Sequence, residues 1–213
     1  LVMIGLYITG IVLGIIIALI LKNTAFRGKP VPFVMELPNY RLPSAKSVGL
    51  LLWDKAKDFI QRAFTVIFFA TIIIWFLETF DAKLNVVKDS SDSLLALIGQ
   101  AISPIFKPLG FADWRVTTSL ISGFTAKEAV VSTMAVLMNT STANLGTALS
   151  GAFSTLSALS FLVFTLLYTP CVAAVATIKR ELDSRIQTVG VVIMQCMVAW
   201  LCGCAVYQIG ALL

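Results

Sequence analysis

Apolar residues in this chain come in long unbroken blocks, not in the short alternations that build a soluble core. Residues 1–21 carry no charge and match the roughly 20 residues a helix needs to cross a bilayer. Further blocks follow at 63–80, 116–138, 155–178 and 189–209, with a shorter one at 94–109 that Pro104 and Pro108 interrupt. The short block predicts either a broken crossing or a segment that dips into the membrane and returns. Between the first two blocks the pattern changes twice. Pro30, Pro32, Pro38 and Pro43 forbid a continuous helix and favour an extended path. After Ser44, the residues Val48, Leu52, Ala56, Phe59, Ile60 and Ala63 recur at three- and four-residue steps. They lie opposite Asp54, Lys55, Lys57, Asp58 and Arg62, which predicts an amphipathic helix on the membrane surface that then turns into the bilayer.

The expected fold is an all-α polytopic transmembrane bundle with about six membrane segments. It divides into a first transmembrane helix at 1–21, a Pro-rich and amphipathic segment at 22–62, and a transmembrane module at 63–213. Gly10, Gly14 and Ala18 recur every fourth position in the first helix, a stripe that lets a second helix approach closely.

Charge gives the orientation. Within 22–62, Lys22, Arg27, Lys29, Arg41, Lys46, Lys55, Lys57 and Arg62 face Glu36, Asp54 and Asp58, which accounts for the whole net charge of +5. By the positive-inside rule this segment is cytoplasmic. The loop at 78–92 holds Glu78, Asp81, Asp89 and Asp92 against Lys83 and Lys88 and suits the outer side. Lys179, Arg180 and Arg185 return the chain to the cytoplasmic side, so alternation holds if every block crosses.

Composition narrows the function. The chain is 58% hydrophobic and 13% charged, against about 25% charged in soluble domains, so lipid is its solvent and nucleic acid is no expected partner. It has no histidine, which removes Ser-His and Cys-His catalysis and histidine proton relays. With no pair of buried aspartates either, the chain is not expected to be an enzyme. Cys171, Cys196, Cys202 and Cys204 lie in apolar blocks without C-x-x-C spacing, which argues against a zinc site or a disulfide framework. Cys202 and Cys204 face nearly opposite ways on a helix and do not converge with Cys196. The chain opens in an apolar run without an initiator methionine or signal peptide and reads as a piece of a longer protein.

Two blocks carry breaks at their middles. In Ser122-Gly123-Phe124-Thr125-Ala126-Lys127-Glu128, Gly123 suits a helix end, and Thr125 with Glu128 three residues on matches a capping box. In Tyr168-Thr169-Pro170-Cys171, threonine before proline matches an N-cap with proline at the first helical position. Proline also frees the carbonyl one turn earlier. Such breaks cost several kcal/mol per unsatisfied group in hydrocarbon, and they persist where main chain lines a cavity or is buried in protein. Paired broken helices point to a transport site, and for a cation the helpful ends are the carbonyls around 120–123 and 166–168. Thr125, Glu128, Thr169 and Cys171 are candidate side-chain ligands on the ion's path. Glu128 can equally cap its helix and neutralise Lys127. Thr169-Pro170 can equally be a packing kink.

These two motifs, preceded by Pro32-Phe33-Val34-Met35-Glu36-Leu37-Pro38-Asn39-Tyr40-Arg41-Leu42-Pro43, resemble the bacterial ferrous iron transport protein B family. The resemblance covers nearly the whole chain and corresponds to the C-terminal part of that family's membrane domain, with the second of two gate modules. It implies Fe2+ import across the bacterial inner membrane, with Fe2+ as substrate. By motif it implies gate residues Gly123, Thr125, Lys127 and Glu128 in one broken helix and Pro170 and Cys171 in the other. It also implies an N-terminal domain that binds GTP and Mg2+, a first gate module, small cytoplasmic accessory proteins and a homo-oligomer. No G-x-x-x-x-G-K-[ST] occurs in this sequence, so that domain and any such cofactor lie outside it. The Glu36–Pro43 stretch of the motif is expected to pack as a cytoplasmic element under the gates. Fe2+ accepts carboxylate, carbonyl and thiolate ligands, so an oxygen and sulfur site suits it, though composition does not demand iron over manganese or zinc. The alternative reading is a gate-module transporter for a nucleoside or similar solute. Such a site needs several amides or acids inside the spans, where only Gln195, Gln208 and Glu128 stand out.

Overall fold

The structure is a computed structural model that describes residues 2–24, 44–87, 89–168 and 171–212. The helices are α1 Val2–Asn23, α2 Ala45–Thr79, α3 Leu94–Ile102, α4 Trp114–Ser122 and α5 Lys127–Leu137. They continue with α6 Leu145–Ala152, α7 Thr155–Leu167, α8 Val172–Leu182 and α9 Arg185–Leu212. The Pro-rich motif with Glu36, Tyr40 and Arg41 lies outside the described residues, as do Thr169 and Pro170.

The chain forms two compact units, Leu1–Ile60 and Gln61–Leu213. In the first, α1 buries none of its residues, and among the described residues a Cβ at Gly14 would meet nothing within 4 Å. Leu50, Leu52, Trp53, Phe59 and Ile60 are likewise exposed, as suits side chains that meet lipid. The amphipathic stretch is not a helix of its own. It belongs to α2, a single run of 35 residues that includes the second apolar block, because no proline interrupts the helical pattern between 45 and 79.

The expected count of about six crossings changes. Among the described residues, three helices are long and apolar enough to span a bilayer, namely α1, α2 and α9. Up to two more spans arise from bent pairs: Leu94–Leu109 with Trp114–Ser122, at 106°, and Thr155–Leu167 with Val172–Leu182, at 41°. Block 116–138 is not one span but two separate helices, α4 and α5, packed against each other after a four-residue turn.

The prolines explain the first bend. After α3 the chain tightens into a 3-10 helix at Ser103–Leu109 with Pro108 inside it. In a 3-10 helix Pro108 leaves the Ile105 carbonyl without its donor. Trp200 Nε1 on α9 supplies one, at 3.0 Å, and Gln208 Nε2 donates to the Pro108 carbonyl at 2.9 Å. Gly110 then ends the segment in the left-handed region, φ +83°, against the ring of Tyr207. Asp113 caps α4 by accepting from Arg115 N at 2.8 Å.

Small residues set the helix crossings of the second unit. On α3, Gly99 lies against Thr118 and the Trp114 carbonyl of α4, where a Cβ would overlap the Thr118 hydroxyl. Between α7 and α9, Ser160 Oγ donates to the Gly203 carbonyl at 2.9 Å, and Gly203 packs against Leu109 and Phe164. Close approach of this kind is how helices gain contact energy where lipid removes the hydrophobic drive. An aromatic core joins the layers: Phe106 meets Phe164 edge-on at 5.1 Å, and Phe164 stacks on Tyr168 at 5.5 Å. Tyr168 is both a core residue and the last residue before the second break. Core packing therefore positions that break.

Candidate functional site

Both breaks fall where the sequence places them, but they are built differently. Helix α4 ends at Ser122, and the turn at 123–126 is closed by Gly123 N to Ser119 O at 2.9 Å and Thr125 N to Ser122 O at 3.1 Å. Its direction is fixed by a side-chain pair, Ser122 Oγ to Thr133 Oγ1 at 2.9 Å. Eleven residues of straight helix would separate such a pair by roughly 16 Å, so the chain folds back on itself.

Three expectations about this turn need correction. Gly123 has φ −61° and needs no left-handed freedom. It is required for space, since a Cβ there would overlap Val130 and lie 2.6 Å from Tyr168 Oη. Thr125 does not cap α5. Its hydroxyl donates back to the Ser122 carbonyl at 2.7 Å, joining the Thr125 N–H on the same acceptor. Helix α5 instead starts after Ala126 with no side-chain cap, so Glu128 completes no capping box. Glu128 is exposed, and among the described residues it pairs with neither Lys127 nor any other cation.

At the second break α7 ends at Leu167, and α8 begins at Val172 with Cys171 as its N-cap residue. The expected N-cap at Thr169 with Pro170 as first helical residue lies outside the described residues. The two breaks meet directly. Val172 N donates to the Phe124 carbonyl at 2.9 Å, and Tyr168 Oη donates to the Leu120 carbonyl at 3.4 Å. Two main-chain acceptors of the first break, the Leu120 and Phe124 carbonyls, are thus answered from the second.

The charge at this joint belongs to Lys127. Its Nζ donates to the Thr165 carbonyl at 3.0 Å, to Leu166 at 3.2 Å and to Tyr168 at 3.4 Å, and sits 4.9 Å from the centre of the Tyr168 ring. Proline at 170 has no N–H, so the Leu166 carbonyl lacks its ordinary helical donor. Of the carbonyls expected to face a cation, those of Leu166 and Tyr168 meet one supplied by the protein itself, whereas Leu120 accepts from Tyr168 Oη and Ser122 from Thr125. No ion pair to Lys127 is found among the described residues. Thr165 Oγ1 and Gln195 Oε1 are buried without a hydrogen-bond partner among them.

Cys171 is half-buried and lies within electrostatic reach of Lys127 and Tyr168. Among the described residues no three Cys, Asp or Glu side chains group as a metal cluster. Thr125 lies in the turn between α4 and α5, Glu128 is exposed on the first turn of α5, and Cys171 is the N-cap residue of α8. Thr169 lies outside the described residues.

Two cavities flank the joint. One of about 180 Å³ is lined by Glu78, Ser90, Ser93, Thr118, Ser132 and Thr133, and it shares Thr133 with the Ser122 pair. The other, of about 590 Å³, is apolar, with Val130, Met134, Leu149, Phe153 and Phe161 among its walls and hydroxyls as its only polar side chains.

The Gate family, described as nucleoside recognition, matches residues 60–185, and the C terminus of ferrous iron transport protein B matches residues 3–55. The Fe(2+) transporter FeoB of Staphylococcus aureus strain MSSA476 is 35% identical over 212 residues, covering 100% of this chain and 32% of that protein. The Fe(2+) transporter FeoB of Methanocaldococcus jannaschii is 34% identical over 188 residues, 85% of this chain and 28% of its own length. That of Campylobacter jejuni is 35% identical over 210 residues, 92% of this chain and 34% of its own. The chain therefore spans about a third of the length of the curated relatives it matches. No solved structure matches it.

Proposed function

We propose a function from one premise: the chain belongs to the ferrous iron transport protein B family, as its C-terminal membrane part, with a Gate module making up most of it. On that premise it carries Fe2+ across the bacterial inner membrane between its two interrupted helices. GTP and Mg2+ act in a domain outside this sequence, and a first gate module, accessory proteins and a second copy complete the transporter.

The observation that carries this reading is the 2.9 Å bond from Val172 N to the Phe124 carbonyl, which brings both breaks to one point. Irregular main chain at membrane depth is tolerated where it lines a path or is buried in protein, and paired broken helices mark transport sites. The ion's path runs past Thr125, Glu128 and Cys171, with Thr169 beside them and Gly123, Lys127 and Pro170 forming the gate. The Glu78 cavity offers one carboxylate and several hydroxyls as an approach. Oxygen donors with one thiol hold Fe2+ weakly enough to release it, as conduction requires.

A nucleoside fits less well. The larger cavity presents no amide or acid to a base or ribose, and the Gln208 amide is spent on the Pro108 carbonyl. The test is uptake by the intact transporter in proteoliposomes, comparing Fe2+, Mn2+, Zn2+ and a nucleoside. Fe2+ entry without nucleoside entry is expected. Nucleoside entry, or no metal entry, would overturn the reading.

A further inference from the structure

We infer that the C-terminal carbonyl end of α7 is a cation-binding site in its own right, and that the Lys127 ammonium is its resident occupant, exchanged for the transported metal ion. The exchange rests on the transport reading above, whereas the site does not.

The ammonium is matched to the site. Lysine offers three donors and no acceptor, and three carbonyls receive them at 3.0, 3.2 and 3.4 Å. A helix C-terminus carries about half a negative charge, and the Tyr168 ring face adds a second attraction for a cation. At the other end of its side chain, Lys127 is badly placed. It is the first residue of α5, where the helix dipole disfavours a positive charge, and that helix has no side-chain cap. A residue pulled into position only by the partner helix is one that a competing cation can release.

What release would expose is a ligand set. The Thr165, Leu166 and Tyr168 carbonyls would be left without the donor that now closes them, and in hydrocarbon they demand a replacement. The Thr165 hydroxyl, already without a partner among the described residues, belongs to the same turn. Cys171 stands three residues beyond Tyr168 at the start of α8 and offers a candidate sulfur ligand beside the same break. The chemical class that fits is a small metal cation accepting carbonyl and hydroxyl oxygen with one thiol, a description that includes Fe2+.

The experiment uses the intact transporter under anaerobic conditions and reads equilibrium Fe2+ binding. Lys127→Met keeps a long unbranched side chain and removes the charge. It should bind about one further Fe2+ per chain, or bind it about tenfold or more tightly, since a charge-assisted competitor has been removed. Lys127→Arg keeps the charge and should gain no ion. Equal binding by Lys127→Met and wild type overturns the inference, as does an extra ion in Lys127→Arg, which would mark loosening and not a vacated site.

Should Lys127→Met fail to fold, Lys127→Ala with added propylammonium supplies the second measurement. The amine replaces the missing atoms, so it should compete with Fe2+ in the variant and not in wild type. Absence of that competition overturns the inference as well. A wild-type protein that moves no Fe2+ across liposomes would sink the transport reading while leaving these binding comparisons intact.

Discussion

Two prolines in the second unit strip a carbonyl of its helical donor, and the protein answers them differently. At Pro108 the Ile105 carbonyl is closed by the Trp200 indole and the neighbouring Pro108 carbonyl by the Gln208 amide, both neutral groups on the long helix α9. Before Pro170 the Leu166 carbonyl is closed by the Lys127 ammonium, which holds Thr165 and Tyr168 as well. A neutral donor locked in a packed helix makes a break permanent. A charge on a flexible stem makes it exchangeable, because any other cation can offer the same attraction. Proline in a membrane helix therefore does not by itself announce a site. The identity of the group that closes the orphan carbonyl separates a structural break from a working one.

The largest effect should come from the residue that lets the two working breaks touch. Gly123→Ala would drive a Cβ into Val130 and Tyr168 Oη, and overpacking of this kind costs about 1–3 kcal/mol. Thermal unfolding in detergent should fall accordingly and Fe2+ uptake should be lost, whereas Gly146→Ala, with nothing within 4 Å, should leave both unchanged. An unaffected Gly123→Ala protein would mean that the joint is looser than described.

Trp200→Phe comes next and probes the permanent break. It removes the donor to the Ile105 carbonyl and should lower stability by about 1 kcal/mol, while equilibrium Fe2+ binding stays as in wild type. Altered metal binding in that variant would blur the distinction between the two prolines. Glu128→Ala should change melting hardly at all, since the carboxylate is exposed and caps nothing, yet it should depress Fe2+ uptake if the carboxylate stands on the ion's path. Normal uptake would remove Glu128 from that path.

The smallest effect belongs to a chain reversal in water, where closing a turn is cheap. Asp81 accepts from Asn85 N at 2.9 Å and Lys83 N at 2.7 Å, and these bonds, that to Asn85 first, hold its carboxyl below the usual carboxylate range. A depressed folded-state value means this contribution is complete above the unfolded value of about 4 and is lost as pH falls through the lower folded one. Melting should be flat through neutral pH with a slight fall in strong acid that Asp81→Asn abolishes. A fall centred near neutral pH would point to another group.

Much of this was legible in the residues. Uninterrupted apolar runs mark α1, α2 and α9, because a bilayer demands helices about that long whatever they pack against. Gly123 and Pro170 mark the breaks, since a helix cannot pass proline without losing a hydrogen bond. Even the pull of the 166–168 carbonyls on a cation follows from their place before a proline. Other features could not be read. The capping box of Thr125 and Glu128 is a local pattern, and the threonine hydroxyl turns back to the Ser122 carbonyl instead. Lys127 carried one legible hint, a cation at the unfavourable end of a helix, but its partners lie 38 to 41 residues away.

Local chemistry settled where this chain enters hydrocarbon, where its helices stop and which backbone oxygens are stripped bare, because each depends on a few neighbouring residues. Packing between distant helices settled the rest: that α4 and α5 double back, that Gly123 is needed for room, and that an ammonium, not a carboxylate, closes the joint. Those outcomes depend on which group arrives within about 3 Å of an orphan carbonyl, and only the folded arrangement brings such groups together.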